Sequence, residues 1–232
     1  MVKPQVCHAP PFNYFILMHL TGSSWEPHHA GHSQQLLDIL HVSHMWEIQP
    51  GIDFAAEQLL LPQFNLHAAQ RLYIARRYGL LHWISSPVRE LLASPLDRYT
   101  QDDSENELGF DLYVIIATAK ESIATVRKRL GNHPPFPQNF DDGPFCVHIQ
   151  HETCKRVWAE KWFFQVVRRI HHPTNPIALS LVPQTLEEME HRGMNSECKK
   201  FLITWLKQSS HIQKEEDLIK ETIDKVCNLF KY

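Results

Sequence analysis

The sequence predicts an all-α protein, a stack of short amphipathic helices in two helical subdomains. Three observations predict it. From Ser33 to Leu130 the apolar residues recur at intervals of three and four, the period of a helix with one buried face. Proline and glycine interrupt that pattern often enough to keep each helix short. No stretch alternates apolar and polar residues over the length of a strand. Helices this short are marginal alone and gain their stability by packing on one another. Ordinary helix lengths give roughly eight to ten helices.

Taken in order, residues 1–32 form an irregular lead-in of Pro, His and Gly clusters around one apolar patch, Phe12 to Leu20. Ser33 is a candidate N-cap for a helix through Glu47 with Leu36, Ile39, Leu40, Ser43 and Trp46 on one face. Gln49-Pro50-Gly51 breaks it. A second helix carries Ile52, Ala55, Ala56, Leu59 and Leu60, and Pro62 stops it. A third runs from about Asn65 to Tyr78, with Leu66, Ala69, Leu72 and Tyr73 inward and Gly79 at the position of a C-terminal cap. A fourth, around Trp83 to Leu92, aligns Ile84, Val88, Leu91 and Leu92, with Pro87 in its first turn or at a kink.

Thr100 to Asp103 has the form of a capping box with Asp in place of Glu, opening a short helix that ends near Gly109. A longer helix follows through Leu112, Ile115, Ile116, Ala119, Ile123, Val126 and Leu130, and Gly131-Asn132 ends it. Residues 132–145 hold Pro134-Pro-Phe-Pro137 and Asp141-Asp-Gly-Pro144, a Pro-rich linker or loop that divides a helical region, 33–131, from a C-terminal helical subdomain, 146–232. In that second part a helix from about Gln150 to His171 turns Val157, Trp158, Trp162, Val166 and Ile170 inward. Shorter helices follow around Leu186 to Arg192 and Glu197 to Lys207, the latter capped by Asn195 or Ser196 and carrying Phe201, Leu202 and Trp205. Leu218, Ile219, Ile223, Val226 and Phe230 define the last helix.

Composition narrows the function. A chain of 232 residues, 43% apolar and with six Trp, builds a real core. A net charge of -3 gives no field that would gather nucleic acid or an anionic membrane. The basic pairs Arg76-Arg77, Arg168-Arg169 and Lys199-Lys200 and the triplet Arg127-Lys128-Arg129 are scattered, and most fall where a helix C-terminus favours positive charge. Five cysteines, Cys7, Cys146, Cys154, Cys198 and Cys227, are odd in number and widely spaced. They favour a reducing intracellular compartment, cytoplasm or nucleus, over a disulfide framework. Phe12 to Leu20 is interrupted by Asn13 and His19, unlike a signal peptide, and is too short to span a bilayer.

Chemistry-bearing residues gather at Cys146-x-His148-x2-His151-x2-Cys154, four residue types that bind Zn2+ well. Their spacing is not that of the usual zinc sites, which pair two close ligands with two distant ones. A cysteine–histidine nucleophile pair could be drawn from the same four, without a third orienting group or an oxyanion feature in the sequence. His28, His29 and His32, with His41 and His44 after them, read as a polar exposed stretch. Gly is too sparse for a phosphate-binding loop. No cofactor is expected. The expectation is a non-catalytic protein–protein interaction module with an unidentified protein partner, Tyr78 and Trp83 being the candidate anchors because Tyr and Trp dominate binding hot spots. The alternative is a small metal- or thiol-dependent enzyme, or a structural zinc-binding protein, centred on Cys146 to Cys154.

From about Gln35 to Lys120 the residues resemble a known family. His41 to Glu57, the run Leu72-Tyr-Ile-Ala-Arg-Arg-Tyr-Gly-Leu-Leu-His-Trp-Ile84, Pro87 and Glu107-Leu-Gly-Phe-Asp111 occur in the order and approximate spacing of the helical region after the core of fungal BTB/POZ-domain proteins. Cys146 and Cys154 ahead of Trp158 and Trp162 are similar to some members. The resemblance implies protein interaction, with dimerisation and cullin binding assigned to a mixed α/β core upstream. Only some 32 residues precede Ser33, so the chain looks like a truncated member whose homo-oligomerisation does not follow from the family. It also departs from the pattern at Ile52-Asp53-Phe54-Ala55, where the family carries an Arg.

Overall fold

Residues 33–94, 108–138, 140–142, 146, 151–173 and 175–231 are described by a computed structural model. The fold is all-α: 79% of these residues are helical and none is in a strand. The lead-in, the Thr100 capping box and His148 lie outside the described residues, as do His28, His29 and His32. The chain divides into two compact units: of the described residues, one holds 33–91, 108–109 and 229–231, the other 92–94 and 110–228, so that the end of the helix that stops at Ala93 belongs to the second. The expected division at 132–145 is therefore corrected: the break falls ahead of residue 110, and the long helix assigned to the first region belongs to the second unit.

In the first unit, α1 (Ser33–Met45) and α2 (Gln49–Leu59) are joined by a tight turn and pack along each other. Leu36, Ile39, Leu40, Val42 and Ser43 are the buried face of α1. Trp46, expected on that face, is 59% exposed because the helix ends one residue before it and Glu47 enters the left-handed region at φ 55°. Pro50 does not break the chain. It occupies the first turn of α2, where a missing N–H costs nothing. Ile52, Ala55, Ala56 and Leu59 face inward, and the small alanines let the helices approach closely. Leu60 is exposed just beyond the helix.

Helix α3 (Ala68–Tyr78) packs on α1. His67 caps it: its Nδ1 accepts from Gln70 N–H at 3.3 Å, and the Gln70 side chain accepts from His67 N–H at 3.4 Å. This is a reciprocal cap with histidine in the role usually taken by Ser or Thr. Ala68, Ala69, Leu72 and Ala75 form its buried stripe; Tyr73 lies about 100° round the helix from Leu72 and emerges. Gly79 closes the helix at φ 67°, with its N–H donated to Ala75 O. No atom lies within 4 Å of a Cβ placed there, so Gly79→Ala incurs backbone strain alone. The expected loss is about 1 kcal/mol, read from the urea midpoint. Helix α4 (Ser85–Ala93) holds Pro87 in its first turn and buries Val88 and Leu91.

The second unit is organised by two long helices and an aromatic one. Helix α5 (Phe110–Asn132) buries Leu112, Ile116, Ala119, Ile123, Val126 and Leu130, one stripe over its full length. Lys120 leaves that stripe to donate to Leu92 O at 3.0 Å and to Ser94 O, neutralising the C-terminal carbonyls of α4 with a cation whose pKa burial lowers. Helix α6 (Glu152–Lys161) passes without a break into a π-helical segment, Trp162–Val166, and then into α7 (Val167–Ile170). All five residues expected to face inward from this stretch are buried. The Trp162 indole N–H donates to Leu130 O at 2.8 Å, and that of Trp158 to Pro135 O at 3.3 Å. Two tryptophans on one helix thus satisfy the end of α5 and hold the Pro-rich segment, whose Pro135, Pro137 and Phe140 are buried inside this unit.

Helix α8 (Val182–Glu188) starts four residues earlier than expected, with Pro183 in its first turn. It packs on α9 (Ser196–Gln208), which Asn195 caps by accepting from Glu197 N–H at 2.8 Å. Helix α10 (Ser210–Leu229) differs from the expected stripe: Ile212, Glu215, Thr222 and Val226 are its buried residues, while Leu218, Ile219 and Ile223 are half-buried. A buried glutamate was invisible to an apolar-period reading, because its partner Arg127 lies on α5.

Candidate functional site

Two places gather residues able to do chemistry or recognition, one in each unit. In the second unit, Cys146, His151, Cys154 and Cys198 converge. The ligand atoms of Cys146, His151 and Cys198 lie within 4.8 Å of one another. The Cys146 and Cys154 sulfurs are 3.7 Å apart, and the Cys198 sulfur is 3.3 Å from His151 Nδ1. Cys146 and Cys154 lie near enough to Cys198 to help raise its pKa. No disulfide joins them.

Local structure brings the four together. His151 is the N-cap of α6 in a left-handed conformation, φ 56° and ψ 15°, a sharp turn at the entry to the helix. Cys154 is the third residue of α6 and Cys198 the third residue of α9. Both sulfurs therefore sit in the first turn of a helix, where exposed N–H groups and the macrodipole favour negative charge. Asn195 N–H donates to the Cys154 sulfur at 3.4 Å. Phe140 lies 4.9 Å from the His151 ring and 6.1 Å from Phe201, closing the cluster with aromatic faces.

The thiols themselves are poor nucleophiles in this setting. Burial pushes Cys154 up, and burial pushes Cys198 up to about 12, with the hydrogen bonds to its cysteine neighbours adding to the rise. A thiol so placed stays protonated at neutral pH, and attack requires the thiolate.

Three members of the expected metal set, Cys146, His151 and Cys154, are placed in this cluster. His148 lies outside the described residues, and Cys198, 44 residues beyond Cys154, stands beside Cys146, His151 and Cys154. Local spacing does not reveal Cys198 because it lies far outside the nine residues from Cys146 to Cys154. One signal could have found it: Glu152-Thr-Cys154 and Ser196-Glu-Cys198 both open helices with cysteine at the third position.

In the first unit, α1 and α3 enclose a groove lined by Leu37, Asp38, His41, Tyr73 and Arg77. Tyr73 is 42% exposed and its hydroxyl accepts from Arg77 Nη1 at 3.2 Å, an interaction that also raises the guanidinium's pKa. Of the anchors expected from sequence, Tyr78 lines this groove while only 8% exposed, and Trp83 is 3% exposed and does not line it. Tyr78 packs edge-on against His41 and His44, at 6.3 and 5.5 Å between ring centroids, and burial pushes its phenol up. Both lie on the apolar side of their turns, where large rings contribute most to the core.

No family model matches the chain, and no curated protein or solved structure matches it. No helix among the described residues is long and apolar enough to cross a membrane.

Proposed function

We propose that the chain is a non-catalytic protein–protein interaction module of the BTB/POZ-associated helical kind, working in a reducing intracellular compartment and recognising its partner at the α1–α3 groove. The observation that carries this reading is the groove's side-chain set: a half-exposed Tyr73, held by Arg77, above an apolar wall that includes Leu37. Tyr and Arg are the residue types that concentrate binding energy, and a tyrosine fixed before binding loses little freedom on docking. Asp38 and Arg77 give the groove one charge of each sign, suited to fixing a peptide's direction. The raised thiols of Cys154 and Cys198 weigh against the thiol-enzyme alternative.

Changing Tyr73 and Arg77 together to Ala should leave the fold intact, because neither side chain is in the core stripe of α3. A photo-crosslinking amino acid placed at Leu37 should trap a protein in cells expressing the otherwise unaltered chain. The double substitution should reduce that product by at least about tenfold, the effect of losing a modest hot spot. A crosslinked product insensitive to the double substitution, or none at all, would remove the groove from the account.

A further inference from the structure

We infer that Cys146, His151, Cys154 and Cys198 form a structural zinc site of the Cys3His class. The argument begins with distance. Thiolates bound to one Zn2+ at the usual bond length in tetrahedral geometry stand about 3.8 Å apart, and a thiolate and an imidazole nitrogen about 3.5 Å. Cys146 and Cys154 are separated by 3.7 Å, and Cys198 and His151 Nδ1 by 3.3 Å, both close to those edges. A disulfide would use two of the sulfurs at about 2 Å and leave a third buried cysteine and a buried histidine with no shared purpose. Cys146, His151 and Cys198 offer ligand atoms within 4.8 Å of one another, enough to hold one ion, and Cys154, 3.7 Å from Cys146, is the nearby thiol that would close the set as its fourth ligand.

The surroundings fit the same ion. Cys154 and Cys198 are fully buried and His151 nearly so, which suits a closed site with four protein ligands and no place for substrate. Asn195 N–H, already aimed at the Cys154 sulfur, would stabilise that thiolate as an outer hydrogen bond. The ligands come from the segment ahead of α6, from the first turn of α6 and from the first turn of α9. This arrangement clips two helices that are far apart in sequence, with three ligands close together and the fourth brought in by α9. Binding is a proton exchange without redox change: three thiols lose their protons to solvent, three sulfurs and the neutral imidazole each donate an electron pair, and the complex carries one negative charge. The first turns of α6 and α9 offset that charge.

The inference stands apart from the groove and is tested separately, on the full chain purified from zinc-replete cells. Elemental analysis should find one zinc per chain after dialysis. Cys198→Ser should lose it, while Cys227→Ser, altered outside the cluster, should keep it. Because Cys198→Ser could fail to fold, the unaltered chain should also be loaded with cobalt. The expected spectrum has intense d–d bands of a tetrahedral ion and a thiolate-to-cobalt charge-transfer band sized for three sulfurs. Substoichiometric metal, zinc retained by Cys198→Ser, a weak octahedral cobalt spectrum, or a metal-free Cys146–Cys154 disulfide would each overturn the site.

Discussion

Glu215→Ala is expected to destabilise the second unit by about 3–5 kcal/mol, the cost of leaving a buried charge without its partner. Glu215 is buried in the second turn of α10, and its Oε1 accepts from Arg127 Nε at 2.8 Å and Nη2 at 2.5 Å. Its Oε2 accepts from Leu179 N–H at 2.6 Å, and Arg127 Nη1 donates to Ile170 O at 3.2 Å. The carboxylate and its arginine together join α5, α10, the end of α7 and the short 3-10 turn Leu179–Leu181. Removing it leaves a guanidinium and a backbone donor unsatisfied in a place water reaches poorly. Urea unfolding would measure the loss. Arg127→Met combined with Glu215→Leu should be less damaging than Glu215→Ala alone, since no charge is then stranded. Equal or greater damage in the double variant would mean that packing, and not the stranded charge, sets the cost.

Trp162→Ala is the second large effect, an expected loss of about 3–5 kcal/mol from the cavity that a deleted core tryptophan leaves. The side chain is fully buried where the helix widens into its π-helical segment, among Val126, Leu130, Val166 and Leu202 in the second unit's core. Its indole N–H also satisfies Leu130 O, one of the terminal carbonyls of α5 that no intrahelical donor reaches. Trp162→Phe separates the two contributions. It fills most of the volume but strands the carbonyl, and should cost about 1–2 kcal/mol. Thermal unfolding of the two variants tests this ordering; a Phe variant as unstable as the Ala variant would shift the weight from volume to the hydrogen bond.

Helical class and most inward faces were legible because burial imposes a period on apolar residues. Leu36, Ile39 and Leu40 on α1, Ala55 and Leu59 on α2, and the whole Val157-to-Ile170 stripe follow from that period alone. Errors arose where the period met an end. Trp46 falls outside its helix, and Tyr73, one residue beyond the buried Leu72, emerges because one residue of helix is a rotation of about 100°. Glu215 was missed because its justification lies 88 residues away on Arg127. The Pro-rich segment has the composition of a linker, yet Trp158 and Trp162, neither within it, decide that it is packed.

For the cluster, three of the four residues could be picked out because they lie within nine positions. The fourth required the packing of α9 against the rest of the unit, a tertiary fact that no local spacing encodes. The distant cysteine changes the chemistry expected: three ligands near α6 and Cys198 on α9 make a clip between helices.

X-ray absorption at the zinc edge of the purified chain addresses that clip most directly. The account predicts a first shell of three sulfurs at about 2.3 Å and one nitrogen at about 2.0 Å. A shell of nitrogen and oxygen only, the signature of adventitious binding by the chain's many surface histidines, would contradict it.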